Sequence, residues 1–211
     1  MNQVVLDTAP GEEREYMSAD SVREEDDNGD ANGTDWTQEF LNSVSVAGLP
    51  LSKLKLMIGC PIMLLRNICA MPGLWNGTRL MVLRLGDRCI HGRIIAEGKH
   101  NGTTAFIPRV TMNNDTSNNR LPFVLQRRQF PVHVAYAMTI NKAQGQTVPH
   151  VGVYIPEPVF SHGQLYVAMS RVKSKHSIKL LVLNSTNAEG KTYTKNIVCC
   201  EVLRDLAHHC L

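Results

Sequence analysis

Residues 137–147, AMTINKAQGQT, crowd Thr139, Asn141, Lys142, Gln144, Gln146 and Thr147 around Gly145, with no carboxylate among them. Hydroxyl, amide and ammonium groups are the side chains that meet phosphate oxygens without reading bases. The patch suits an anionic partner; a polar helix end facing water accounts for it as well. A second candidate is Arg171 in VAMSRV, 167–172, where Ala168 and Ser170 are small. Its guanidinium is planar and always charged, so it can bridge oxygens of a transferring phosphoryl group. A surface ion pair is the commoner fate of a lone arginine. Arg127 and Arg128, beside Gln129 in a strand-like run, fit either a nucleic-acid backbone or the exposed face of a small barrel.

Other chemistries find less support. STNAEGKT, 185–192, nearly spells a phosphate loop containing Lys191, but Ser185 stands where the first glycine belongs. The continuation YTKNIVCC is β-branched and aromatic, whereas a phosphate loop opens a helix whose N-terminus cradles the anion. A hairpin or loop is expected there. The six cysteines show no CxxC spacing, and MNQVVLDTAPGEERE lacks both a basic and an apolar signal region. Reduced thiols in a cytosolic or nuclear protein are the expectation, with Cys60 a core thiol. His208, His209 and Cys210 lack a second ligand pair, so no metal is expected. No apolar run approaches the roughly 18 residues a membrane span needs.

The net charge of +3 conceals an uneven distribution. Residues 1–40 hold 12 acidic and two basic side chains, whereas 41–211 hold 7 acidic and 20 basic ones. That asymmetry fits either a polyanion partner for the basic part or a solvated basic surface.

The elements that must position these groups are legible from periodicity. Residues 21–35, SVREEDDNGDANGTD, read as a solvated acidic loop. WTQEFLNSV, 36–44, reads as a short helix with Trp36, Phe40 and Leu41 inward. Leu54, Leu56 and Ile58 alternate ahead of an apolar strand at Pro61–Leu65, and Asn76-Gly77 is a turn. From there to about Val132 the period is two. TRLMVLRL, CIHGRIIAE, TTAFIPRVTM and FVLQRRQFPV are strand-like runs spaced as in a small antiparallel barrel. AYAMTINKAQG then reads as a helix stopped by Gly145. HVGVYI is a buried strand. SHGQLYVAMSRV is a helix with Ser161 as N-cap, Leu165, Met169 and Val172 on one face, and Gln164, Ala168 and Arg171 on another. IKLLVLN, 178–184, is a strand of parallel-sheet type. Strand and helix alternation argues an α/β, RecA-like layer with the barrel inserted. The expected divisions are 1–75, the first part of the RecA-like domain with the acidic loop, 76–132, the insertion, and 133–211, the remainder.

Taken together, PVHVAYAMTINKAQGQT and VGVYIPEPVFSHGQLYVAMSRV resemble motifs V and VI of superfamily 1 DNA helicases. The match is closest to the Pif-type (petite integration frequency) family and its Helitron transposon relatives. LKLMIGCPIMLLRN, GLWNGTRL, IPRV, LQRRQFPV, FSHGQLYVAMSRV and TKNIVCCEVL are similar to the same branch, so the resemblance covers nearly the whole chain. It implies the second RecA-like domain of an ATP-dependent 5′-to-3′ DNA helicase, carrying an SH3-like β-barrel insertion.

Thr139, Asn141, Lys142, Gln144 and Thr147 would then contact single-stranded DNA. Gly145, Gln146 and Arg171 would border the nucleotide, with Arg171 as arginine finger. Asn141 replaces the histidine common in cellular members, which favours the transposon branch. Gln164 and Tyr166 match the motif VI helix, and Tyr166 is expected to pack. ATP and Mg2+ would be held mainly by a first RecA-like domain that this chain lacks, so the chain alone should be inactive. The resemblance also implies a nuclear location, with mitochondria as a second one, and roles in DNA repair, recombination and telomere maintenance or in transposition. A non-catalytic module for single-stranded nucleic acid, or a transposon-derived remnant, is the alternative.

Overall fold

The computed structural model describes residues 2–23, 36–68, 73–95, 99–114, 121–183 and 192–199. The chain divides into two compact units, Met1–Ala137 and Met138–Leu211.

The first unit contains α1 (Asn2–Thr8), β1 (Glu13–Met17), β2 (Ala19–Val22), α2 (Gln38–Ser43), β3 (Lys53–Met57), β4 (Pro61–Leu64) and β5 (Arg79–Leu85). It continues with β6 (Cys89–Ile94), β7 (Thr104–Pro108), β8 (Val110–Asn113), β9 (Leu125–Gln129) and β10 (Val132–Val134). They pair as a five-stranded sheet in the order β10-β4-β5-β6-β7, a three-stranded sheet β2-β9-β8, and the pair β1-β3, all antiparallel.

Period two builds the larger core. Leu80 and Val82 of β5, Ile90 and Ile94 of β6, and Ala105 and Ile107 of β7 face inward beside Ile62, Leu64 and Val132. Tyr16, Leu54, Leu56, Cys60 and Phe130 complete it. Burying one such aliphatic side chain contributes about 1.5–3 kcal/mol. Close approach at Gly92 follows from its lack of a side chain: an added Cβ would lie 3.3 Å from Leu80 Cβ. Cys60 is fully buried, and burial pushes its thiol pKa up, as a core thiol requires. The Asn76-Gly77 turn is present, with Gly77 at φ 88° donating its N–H to the Leu64 carbonyl at 2.9 Å.

Several expectations change. The closed barrel does not form among the described residues. Its four runs divide between two sheets that also recruit β2, β4 and β10. TTAFIPRVTM supplies both β7 and β8, in different sheets, because Pro108 has no N–H for a continuing ladder. Ser21 and Val22 belong to β2 rather than to a loop, and 24–35 lie outside the described residues. In α2, the Thr37 hydroxyl accepts the Phe40 N–H and Leu41 is buried, but Phe40 stays exposed, stacked on Trp36. Ile58 is also exposed, beyond the end of β3.

Arg127 is the largest correction. It is 1% exposed, so it neither touches a ligand nor lines an outer face; Arg128 beside it is exposed. Period two explains this, because Leu125, Arg127 and Gln129 share the buried face of β9. Arg127 Nε donates to both oxygens of Asp20 at 3.0 Å, and Nη2 donates to Oδ2 at 2.7 Å. The remaining donors reach the carbonyls of Pro50, Leu41 and Val44.

The second unit contains a 3-10 turn at Asn141–Ala143, β11 (Val151–Ile155), α3 (Gln164–Met169), a second 3-10 turn at Lys175–Ser177, and β12 (Ile178–Val182). β11 and β12 pair in parallel, as expected, with Val151 opposite Ile178. Val153, Ile155 and Ala168 form its core, with Ile140, Leu165, Ile178 and Val182 packed around them. STNAEGKT, apart from Thr192, and the terminal His208, His209 and Cys210 lie outside the described residues.

Replacing Arg127 with Ala would strand a buried carboxylate and three carbonyls. An unfolding free-energy loss of about 3–5 kcal/mol is expected in urea titration. Asp20→Asn, which keeps the shape but removes the charge, should also destabilise.

Candidate functional site

The helix expected over 135–145 is replaced by extended chain and one 3-10 turn. Ala135 N–H donates to the Pro61 carbonyl at 2.8 Å, which continues the β10–β4 ladder and holds that residue extended. Ala143 N–H then donates to the Thr139 and Ile140 carbonyls, and Gln146 N–H donates to Ala143. Gly145 sits at φ 77°, in the left-handed region where a side chain is strained. Within this short loop Thr139, Asn141, Lys142, Gln144 and Gly145 are exposed, whereas Gln146 and Thr147 are half-buried. The Gln146 side chain donates to the Lys142 carbonyl at 3.1 Å, so part of its polarity is spent inside the loop.

The other half of the site is the end of α3. Its N-cap is Gly163 at φ 72°, not Ser161. The Gln164 side chain folds back, its Oε1 accepting the Phe160 N–H at 3.0 Å and the Ser161 N–H at 3.4 Å. Gln164 and Ala168 are the buried positions, while Met169 is exposed. The core-facing side of α3 therefore carries Gln164 and Ala168, with Leu165 packed beside them. Tyr166, expected to pack, is 74% exposed.

Arg171 joins the two halves. Its Nη1 donates to the carbonyls of Ala143 at 3.1 Å and Gln146 at 3.0 Å. Nε donates to Val167 at 2.7 Å, and Nη2 to the Ser170 hydroxyl at 2.7 Å. In return Val148 N–H donates to the Arg171 carbonyl at 2.9 Å. The guanidinium and the 139–147 loop are in direct contact, so the candidate residues form one site. Four of the five N–H groups of the guanidinium are engaged, all with neutral acceptors. Its positive charge is thus left uncompensated by any carboxylate among the described residues. Ser170 escaped sequence reading although it adjoins Arg171; its small size was visible, its acceptor role was not.

Chemically, the site offers exposed amide, hydroxyl and ammonium donors on a turn whose backbone is held by an arginine. Such a surface suits phosphate oxygens. Among the described residues no cluster of three metal-ligating side chains occurs.

Residues 39–85 match the family described as DNA helicase Pif1, 2B domain. The chain is 33% identical over 146 residues to the ATP-dependent DNA helicase PIF1 of Homo sapiens, a match that covers 67% of this chain and 21% of the relative. It is 31% identical over 129 residues to the ATP-dependent DNA helicase PIF6 of Trypanosoma brucei brucei, covering 60% of this chain and 16% of that one.

The chain is a partial-length relative of the Pif1 helicases. Its fold agrees. A crystal structure of Bacteroides Pif1 bound to single-stranded DNA aligns over 98% of this chain and 42% of its own length, with a TM-score of 0.66 and 24% identity. The Pif1 helicase of Candida albicans aligns over 97% of this chain and 46% of its own, with a TM-score of 0.63 and 22% identity. The chain spans 16% and 21% of the length of these two curated relatives.

Arg171→Lys should keep the charge but lose the fork that holds two carbonyls at once. Hydrogen exchange at Gln146 and Val148 is expected to accelerate in that variant, with β11 and β12 amides unchanged. Gly145→Ala should cost about 1 kcal/mol, because the left-handed backbone must be kept.

Proposed function

We propose that the chain is part of the second motor domain of an ATP-dependent 5′-to-3′ DNA helicase. In this reading Thr139, Asn141, Lys142, Gln144 and Thr147 contact the backbone of single-stranded DNA. Gly145, Gln146 and Arg171 border the nucleotide, and Arg171 serves as the arginine finger. The observation that carries the reading is the bonded union of Arg171 with the 139–147 loop. A change at the guanidinium is a change at the DNA-facing turn, which is the coupling a nucleotide-driven motor needs.

The donor set fits a triphosphate in kind. Arg171 is half-buried, carries a full charge, and keeps one Nη2 hydrogen beyond its four bonds. ATP with Mg2+ supplies the free energy of translocation when bound. Most of its contacts belong to a first RecA-like domain in the complete enzyme. This chain's residues hold the loop, present donors to phosphate oxygens and place one positive charge at the cleft. The Helitron-like branch suggested by Asn141, and nuclear work in repair, recombination and telomere maintenance, follow from the same family reading.

One observation favours a second reading, a non-catalytic module for single-stranded nucleic acid or a transposon-derived remnant. Arg171 spends most of its donors on this chain's own backbone, as a purely structural arginine would.

Purified as 211 residues, the protein should hydrolyse no ATP, and Arg171-dependent hydrolysis would overturn the composite-site reading. Single-stranded DNA should bind with an affinity that falls steeply with salt. Lys142→Ala should weaken it and lower the salt slope by about 0.7, the loss of one phosphate contact. Addition of a Pif1 first domain carrying its own phosphate loop separates the two readings: restored, Arg171-dependent hydrolysis supports the motor, and none supports the module.

A further inference from the structure

Between α3 and β12 the chain passes through a basic loop that carries a hydroxyl with no part in the site above. Residues 158–188 contain no Asp or Glu, while Arg171, Lys173, Lys175 and Lys179 supply positive charge. Lys173, Ser174, Lys175 and His176 are all exposed. The neighbouring serines, Ser170 and Ser177, are half-buried, and the Ser170 hydroxyl is already bonded to Arg171.

Ser174 differs from both. Its backbone is extended, with φ −139° and ψ 143°, and a lysine stands on each side of it. Its side-chain oxygen accepts the His176 N–H at 3.3 Å, where the Lys175–Ser177 turn begins. A hydroxyl also has a second lone pair and a proton to give. A protein kinase draws exposed, extended chain into its cleft and selects it by charge pattern. An acid-lined cleft selects a serine flanked by cations, which is the arrangement here.

We propose that Ser174 is a phosphorylation site for a basophilic serine kinase, and that its phosphate weakens the hold of the Arg171 site on nucleic acid. The Ser174 oxygen bonds to the γ-phosphorus of ATP held by the kinase as the bond from that phosphorus to ADP breaks. The hydroxyl proton passes to the kinase's catalytic carboxylate. The product carries about −1.5 to −2 charge at pH 7.

Three residues of chain span at most about 11 Å, close to the roughly 10 Å over which charges act in 0.1 M salt. The new charge therefore reaches Arg171, whose own charge meets no carboxylate among the described residues. It offsets Lys173 and Lys175 as well. The site itself is independent of the function proposed above, whereas its effect on DNA rests on that reading.

The full chain is treated with ATP, Mg2+ and a kinase of the protein kinase C class, and the phosphate is mapped by mass spectrometry. Binding of labelled oligothymidylate is then followed by fluorescence anisotropy in about 10 mM salt, with melting curves to establish that each variant is folded. Phosphate should appear at Ser174, vanish in Ser174→Ala and persist in Ser174→Thr. The phosphorylated chain should bind about threefold more weakly, a difference that shrinks as salt rises. Ser174→Ala should bind like the unmodified parent with or without kinase. Phosphate on Ser170 or Ser177 instead, no phosphate, or modification only by an acid-directed kinase of the casein kinase class would overturn the site. Equal binding before and after modification of Ser174 would overturn its effect. Phosphate on Ser174 with no DNA binding by any form would uphold the site and overturn the function proposed above.

Discussion

A carboxylate and a guanidinium sealed from water hold the first unit in register. Asp20 and Arg127 stand directly opposite each other on β2 and β9. Sliding β9 by one residue would set Arg127 against Ala19 or Ser21 and turn its buried face outward, so the pair fixes one alignment. Removing two charges from water costs several kcal/mol per ion, and the attraction recovers this only when every donor is satisfied. Here the remaining donors reach Leu41 and Val44, at the end of α2, and Pro50 beyond it. Helix ends leave carbonyls without partners and favour a nearby cation. One side chain thereby joins a strand pair, a helix terminus and the approach to β3.

Arg171 makes the same kind of contact with a different electrostatic result. Both arginines donate to backbone carbonyls where a helical turn ends. Arg127 is neutralised by Asp20 and buried, so nothing remains for a ligand. Arg171 meets only neutral acceptors and is half-exposed. Its bonds can be exchanged for bonds to an anion, and its charge is available while they last. This distinction, and not the presence of an arginine, decides which of the two can act in phosphate chemistry.

Much of the fold was legible in the sequence because period two survives in single strands. β4, β5, β6, β11 and β12 fall where alternation or apolar runs place them. What was illegible depends on partners far along the chain. Arg127 next to Arg128 and Gln129 reads as a wet surface; its partner Asp20 lies 107 residues away, just ahead of the 21–35 stretch that reads as a loop. The 135–145 segment has helical spacing, but Ala135 is bonded into a sheet and the polar remainder is too short to sustain a helix. What remains is a 3-10 turn clasped by Arg171. The exposure of Thr139, Lys142 and Gln144 was legible, since polar types favour it. The geometry of the site was not, because the acceptors on Ala143, Gln146 and Val167 are backbone atoms that any sequence would supply.

Charge follows the same logic of local pairing. Among the described residues, three acids of the first 40 pair one by one with basic residues of the first unit. Glu13 pairs with Lys55 at 2.8 Å, Glu15 with Lys53 at 2.9 Å, and Asp20 with Arg127. The exposed pairs among these stabilise by no more than about 1 kcal/mol each. Their larger effect is selection, because they neutralise cations on β3 and β9 and leave others without a counter-charge. Arg84 and Arg93 on the outer sheet face, and Lys142 and Arg171 in the second unit, have no carboxylate partner among the described residues. Long-range attraction for a polyanion is set by such unmatched charges. The acidic strands therefore withdraw Lys53, Lys55 and Arg127 from that set.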